Sequence, residues 1–457
     1  MFLKSVRLEL LKHLQGGTLK ARFASGAMWL LLGAGLSQLL LALSSIVIAR
    51  VLGKEVFGEF GMVRSTVMMF GTVAGLGLGI TTNKYIAEFR DSDPARAGRV
   101  LTLTTTLAAI SGTLVAIAVA LAADYLASET LGAPHLAGFV RLCAPLLAMS
   151  VVTGVQLGAV TGLEQFRVLS LLSTLTALTV ASLAAVGAFA GGIEGAFYGT
   201  LIGSFVNVIL MELILAVLRR RKGIRIAFAG LWRERQVLVS FAIPSLLAGL
   251  MVAPVTWAGL RLLFIRPDGA GEAALFQAAN QLRMLALFVP GAIAQVVLPV
   301  LSNIQADVDA SRYRRAIQAA AMACLVTGAA VAIPLMAASP QMMGLFGTSF
   351  SSGWLVLCLM CAAAVLQATN TVIGEALAAL SKMWWGFWLN CLWGVEFLLA
   401  ASLLVRHGAA GLAGAYVVSY LLHTIQVWAL VTYVIRRRRE WHSTHLDAHT
   451  VSAREWV

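Results

Sequence analysis

The sequence predicts an all-α polytopic membrane protein, with twelve transmembrane helices in two six-helix lobes related by a parallel repeat. Three observations carry this prediction. First, 59% of the 457 residues are hydrophobic and only 12% are charged, mean hydropathy is +0.85, and apolar stretches recur from Gly26 to Ile435. Such a composition suits a chain solvated by lipid. Second, displaced by 219 positions, the chain meets itself without a gap: Arg64 falls on Arg283, each seven residues after a phenylalanine (Phe57 and Phe276). At the same offset Arg96-Ala97 falls on Arg315-Ala316, Gly192, Gly195 and Ala196 fall on Gly411, Gly414 and Ala415, and Asn207 falls on Gln426. One match would be noise, but a constant register from the second span of each half to the last marks a duplicated unit. Third, placing the N-terminus in the cytoplasm puts 26 of the 34 Lys and Arg on the inner side. The positive-inside rule then makes both termini cytoplasmic.

At roughly 20 apolar residues per crossing, the spans centre near residues 37, 70, 111, 149, 179, 207, 250, 287, 326, 364, 396 and 423. Residues 1–24 precede them and mix Leu, Val and Phe with Lys4, Arg7, Lys12, Lys20 and Arg22, the pattern of a basic amphipathic helix on the inner leaflet. Gly26 to Ala49 is long enough to span and lacks a small-residue cleavage pattern, so no signal peptide is expected. Spans one to six form an N-lobe over 25–222, which ends in Arg219-Arg220-Arg221-Lys222. A cytoplasmic linker, 223–236, follows; its apolar stretch from Ile224 to Trp232 is expected on the membrane surface. Spans seven to twelve form a C-lobe over 237–435, and 436–457, opening on Arg436-Arg437-Arg438-Arg439, form a cytoplasmic C-tail. Six spans is an even number, so both lobes enter the membrane from the same side and the repeat axis runs along its normal, the parallel-repeat plan of many carriers. Prolines concentrate in the second lobe, where Pro244 and Pro254 interrupt span seven and Pro290 and Pro299 span eight. Kinked helices are expected there. In span two, Gly71, Gly75, Gly77 and Gly79 supply close packing or flexibility, and packing is preferred.

Several chemistries find no support. Outer loops are short; the longest, Arg266 to Glu272 and Ala338 to Gly353, offer only Asp268, Glu272 and scattered hydroxyls, so a glycan polymerase or ligase has nowhere to hold an acid, a base and an acceptor. Walker, HExxH and paired-aspartate motifs are missing, which speaks against ATP hydrolysis and metalloprotease chemistry. No enzymatic activity and no cofactor are expected. The net charge of +13 reads as a topology signal with attraction to anionic lipids, and no aromatic-rich basic domain points to nucleic acid. Cys358-Leu-Met-Cys361 has metal-like spacing but sits in an apolar helix without His or carboxylate neighbours, which favours packing. His442, His445 and His449 have near-helical spacing on the C-tail; a solvated tail is preferred to a metal site there.

Ionised side chains inside a span are costly and usually purposeful. Arg64 lies about one turn into span two from its outer end, Arg283 is its duplicate in span eight, and Arg261 lies near the outer end of span seven. Snorkelling would place them at the outer interface. Against that, basic residues are disfavoured on that side and the arrangement recurs in both halves. Arg64 and Arg283, joined by Arg261, are therefore expected to face a water-filled cavity between the lobes. Cations there imply an anionic substrate, and arginine's planar fork suits phosphate oxygens. Glu396, mid-span eleven, is the deepest carboxylate, and its repeat counterpart is Ala177. It can carry a coupling proton or bind sodium, or serve as a local hydrogen-bonding partner. His423 in span twelve is the other titratable candidate, with packing as its alternative. Asn207 and Gln426 are cavity polar groups that most simply bond neighbouring helices. Glu375 and Glu212 are expected at the interface.

The run Ala49-Arg-Val-Leu-Gly-Lys-Glu-Val-Phe-Gly-Glu-Phe60, leading to Gly75-Leu-Gly-Leu-Gly79, resembles the N-terminal signature of the bacterial polysaccharide and O-antigen flippases of the multidrug, oligosaccharidyl-lipid and polysaccharide exporter superfamily. The likeness covers nearly the whole chain, since twelve spans in two lobes is that family's plan. It implies flipping of an undecaprenyl-pyrophosphate-linked oligosaccharide across the bacterial inner membrane, by alternating access through a cationic cavity. Membrane lipids and other polysaccharide assembly proteins are the further partners it implies. A lipid-linked peptidoglycan precursor is the competing substrate. A multidrug extruder would want carboxylates for cationic drugs, where this chain offers arginines.

Overall fold

The computed structural model of the chain describes residues 19–234, 251–302, 310–380 and 383–454. The expected amphipathic segment up to residue 18, the end of the expected linker and Pro244 lie outside them, as do the side chains of the C-tail histidines. Every regular element among the described residues is helical. The principal helices are α1 (Leu19–Leu52), α2 (Lys54–Ala74), α3 (Leu78–Phe89), α4 (Pro94–Leu121), α5 (Pro145–Gly162), α6 (Phe166–Arg221), α7 (Val252–Phe264), α8 (Gly269–Ser302), α9 (Ala310–Ala337), α10 (Trp354–Ala379), α11 (Met383–Leu404) and α12 (Gly408–Arg454).

Seven helical stretches are long and apolar enough to cross a membrane, or eight when the bent pair α2 and α3 counts as one span. Two of the seven are double length. At 1.5 Å per residue α6 would be about 80 Å long if straight, far beyond a hydrocarbon core of roughly 30 Å. It breaks at Gly191 and Gly192, where φ is −149° and 59°. The stretch from Trp384 to Val434 divides likewise at a tight turn, Val405–His407, followed by Gly408 with φ 65°. Divided at these breaks, the apolar stretches make ten crossings, and α7, a shorter apolar helix, and α8 stand where spans seven and eight are expected. α12 then continues through the expected C-tail to Arg454.

The span-two glycines divide their work instead of sharing one role. Leu76 and Gly77 have φ of 48° and 65°, which no α-helix accommodates, and the span bends there by 46°. Gly79 serves packing: a side chain on it would run into the Gly154 carbonyl, and one on Gly158 into the Gly79 carbonyl. Small residues let α3 and α5 approach at backbone distance.

The chain divides into two compact units, Met1–Leu52 with Val63–Leu250, and Gly53–Met62 with Met251–Val457. In the first, α5 is the central helix, packed on α3, α4 and α6. Leu78, Ile86, Leu101, Val151, Val155, Leu172 and Met211 form its core. Ile224 belongs to that core, the Ala227 amide donates to Thr102 Oγ1 at 3.2 Å, and the Arg225 carbonyl covers Gly98. The stretch after α6 thus docks along α4, with Ile226 and Phe228 left exposed. Buried Glu234 completes the dock, accepting from Arg96 at 3.0 Å and Arg99 at 3.1 Å. Beside it, hydrogen bonds from Lys222 and Arg90 hold the Asp91 carboxyl below the usual carboxylate range.

In the second unit α10 is central, packed on α8, α9 and α12. Val297, Leu301, Tyr313, Ile317, Val372, Ile373, Val427 and Val431 form its core, and the Tyr313 hydroxyl donates to the Ala376 carbonyl at 2.9 Å. At the 219 offset α5 corresponds to α10 and Leu78 to Val297, so the duplication reaches the identity of the central helix. Residues 53–62 belong to this unit although they open span two. Gly58 lies against the Ala270 carbonyl, Gln277 donates to Gly58 O at 3.3 Å, and Phe57 packs on Phe346 and Phe350 at 6.3 and 6.0 Å.

Candidate functional site

The polar groups buried in apolar helices fall into small sets, each within one unit. In the first unit, Asn207 on the second arm of α6 is buried and accepts from Thr176 Oγ1 on the first arm. Arg64 on α2 is solvent-accessible, and no hydrogen bond or ion pair to it occurs among the described residues.

Arg283 has the opposite environment. It lies on α8, only 4% exposed, with Nη1 donating to Asn280 Oδ1 at 2.8 Å and Nη2 to Gln367 Oε1 on α10. The guanidinium also stands 5.4 Å from the centre of the Tyr416 ring on α12, a cation–π contact. Its Nε–H is buried without a partner among the described residues. The difference has a compositional cause. At the 219 offset Asn280, Gln367 and Tyr416 correspond to Gly61, Ala148 and Phe197, so the arginine was retained in both halves but its hydrogen-bonding neighbours exist only in the second. Arg261 is half-buried near the end of α7.

Glu396 on α11 and Gln426 on α12 come together: the Gln426 amide donates to Glu396 Oε1. Glu396 Oε2 and Gln426 Oε1 are both buried without a partner among the described residues. Thus in each unit the duplicated amide, Asn207 or Gln426, bonds the helix before it, to a hydroxyl in one case and a carboxylate in the other. His423 lies one turn before Gln426 on α12, buried, with Nδ1 unpartnered.

His423 opens a site that was not anticipated from the sequence. Within the second unit a cavity of about 290 Å³ is lined by Asn370 and Glu375 of α10, Asn390 and Trp393 of α11, and Tyr420 and His423 of α12. Glu375, expected at the interface, is one of its walls. The signal was present. Gln367, Asn370, Thr371, Gly374 and Glu375 recur at the i, i+3, i+4, i+7 and i+8 spacing of one helix face, a polar stripe on an otherwise apolar span. Gln367 both lines this cavity and binds Arg283.

A helical bundle with two pseudo-equivalent units, buried polar sets and a partly open cavity with polar groups on its walls is the architecture of a multi-pass carrier. The solved structures agree on the fold. An inward-facing multidrug resistance MATE family transporter of the MOP superfamily is 18% identical, with a TM-score of 0.77 over 88% of this chain and 96% of that one. A MOP superfamily transporter from Pyrococcus furiosus, described as having a binding pocket of reverse polarity, gives 0.69 at 18% identity over 93% and 97%. Residues 23–305 match the polysaccharide biosynthesis protein family, and the chain belongs to it. The EPS I polysaccharide export inner membrane proteins EpsE of Ralstonia nicotianae and Ralstonia solanacearum are 27% identical over 186 residues and 28% over 188. Those alignments span 39% of this chain and 42% of each relative's length.

Proposed function

We propose that the protein flips an undecaprenyl-pyrophosphate-linked oligosaccharide from the cytoplasmic to the periplasmic leaflet of the bacterial inner membrane, by alternating access through a cationic central cavity. The observation that carries this is the duplicated intramembrane arginine, Arg64 and Arg283, in a chain of the polysaccharide biosynthesis protein family. Cations kept inside apolar helices call for an anion that must pass them, and a pyrophosphate diester supplies two negative charges. Arg64 presents an uncommitted fork for its oxygens; Arg283, with Nε unpartnered among the described residues, holds a fixed positive charge, and Arg261 adds a third. An interior-negative potential favours outward movement by about 2.3 kcal/mol per charge per 100 mV. Both termini face the cytoplasm in this reading. Glu396, held by Gln426, and His423 are the groups able to carry a coupling proton. The name of the Ralstonia relatives, polysaccharide export inner membrane protein, supports the substrate class.

The decisive experiment is reconstitution. Proteoliposomes holding the purified protein should make an undecaprenyl-pyrophosphate-linked saccharide accessible to an external glycan-modifying enzyme faster than protein-free liposomes do. Equal rates would overturn the reading. Movement of the peptidoglycan precursor alone would reassign the substrate.

A further inference from the structure

The cavity in the second unit is a departure from the duplicated framework. Its wall residues Asn370, Thr371, Gly374 and Asn390 correspond at the 219 offset to Val151, Val152, Val155 and Leu171. In the first unit Val151 and Val155 belong to the solid core, with Val152 packed against it. Aliphatic packing is therefore what this framework supports when nothing needs to enter. In the second unit the three packed valines are replaced by an amide, a hydroxyl and a glycine, and space opens; Asn390 replaces Leu171, which is exposed in the first unit.

The groups left there specify what fills it. Asn370, Trp393 and His423 are all more than nine-tenths buried. Yet Asn370 Oδ1, Trp393 Nε1 and His423 Nδ1 each lack a partner among the described residues, although native proteins seldom leave such atoms unpaired. Trp393 Nε1 is a donor, Asn370 Oδ1 an acceptor, and the Asn390 amide provides both. A metal cation would leave the indole N–H unmet. An anion would face the Asn370 carbonyl and the Glu375 carboxyl. Neutral hydroxyls, which donate and accept, satisfy the whole set. At about 290 Å³ the space lies at the lower end of small-molecule sites, roughly 300–1,000 Å³, room for one sugar ring.

We infer that this cavity is a subsite for a single neutral sugar residue of the transported glycan, an inference that rests on the flippase reading. Gln367 joins it to Arg283, so a sugar seated there lies beside the cation that attracts the pyrophosphate. The subsite lets the second unit read the glycan while the arginines read the charge.

The test uses the purified full-length chain and thermal unfolding with two probes: undecaprenyl pyrophosphate, and lipid-linked saccharide extracted from the producing bacterium with this gene deleted. Two variants accompany the parent. Asn370→Leu removes an acceptor, and Gly374→Leu fills the space from a position where an added Cβ meets nothing within 4 Å; the unfolding temperature of each variant without ligand reads whether it folds. The parent should bind the glycan-bearing lipid at least tenfold more tightly than the bare lipid. Both variants should lose that preference and keep their affinity for the bare lipid. A preference retained by either variant overturns the subsite while the flippase reading stands. Sodium chloride stabilising the parent but not Gly374→Leu, with the glycan preference unchanged, also overturns it and makes the cavity a cation site. If the parent responds to neither lipid, the flippase reading itself fails and the subsite falls with it.

Discussion

Arg64 and Arg283 show how one residue kept in two copies acquires two characters. Arg283 is enclosed by Asn280, Gln367 and Tyr416, whereas the residues matching these near Arg64 are Gly61, Ala148 and Phe197. Replacing Arg283 by Ala strands the Gln367 and Asn280 oxygens and should cost about 1–3 kcal/mol, read as a lower unfolding temperature. Arg64→Ala breaks no such contact and should stay within about 0.5 kcal/mol of the parent. Both should abolish surface polysaccharide, and lysine at either place should restore it only in part because the bidentate fork is lost. Wild-type export by both alanine variants would mean that the arginines take no part in transport, Arg283 being a packing group of its unit. Glu396→Gln should keep lipid-linked saccharide binding but lose the acceleration of flipping by an imposed pH gradient in proteoliposomes, while the membrane potential still drives transport. An unchanged response to the gradient would make Glu396 structural. The arginines and the acidic residue were visible in the sequence because charge stands out against apolar surroundings. Asn370, Asn390 and Trp393 were not singled out: their polarity is weaker, and only the α10 stripe read at helical spacing, or the comparison with Val151 and Leu171, exposes them.

At the scale of elements, the two arms of α6 form a hairpin closed by glycines. A Cβ on Gly187 would stand 2.0 Å from the Gly195 carbonyl oxygen, and one on Gly199 the same distance from that of Leu183. With no hydrophobic drive between helices in lipid, such contact at backbone distance is what holds the arms together. Gly199→Ala should therefore lower the unfolding temperature and the yield of folded protein. Gly191→Ala, where an added Cβ meets nothing within 4 Å, should leave both near the parent values. Equal effects of the two substitutions would show that backbone contact between the arms contributes nothing. The number of crossings was legible because roughly 20 apolar residues are needed for each. The bend at Leu76 and Gly77 was not, since a glycine-rich stretch allows tight packing or a break, with packing the preferred reading. Only the positive φ at Leu76, a residue that rarely takes one, settles which glycines do which.

For the molecule as a whole, the repeat and the charge distribution make one linked claim. If each half crosses six times, both halves begin and end on the same side, as a parallel repeat requires. The central helices support the duplication, α5 in one unit and α10 in the other. What the repeat could not show is that Gly53–Met62 groups with the second unit, because that depends on Gly58 and Phe57 meeting residues more than 200 positions away. Orientation in the membrane rests on the basic clusters at Arg219 to Lys222 and Arg436 to Arg439. Held in the cytoplasm, each cluster experiences the anionic inner leaflet, worth about 1 kcal/mol per basic residue, and this is the physical content of the positive-inside bias. Reporter fusions after Lys222 and Arg439 should therefore signal cytoplasm, and fusions at Gly191 and Arg406 periplasm. The Gly191 site is the most informative of the four, because it tests whether α6 crosses twice. A cytoplasmic signal there would turn α6 into a single crossing with a cytoplasmic extension, give the first half an odd number of spans, and replace the parallel repeat by an inverted one.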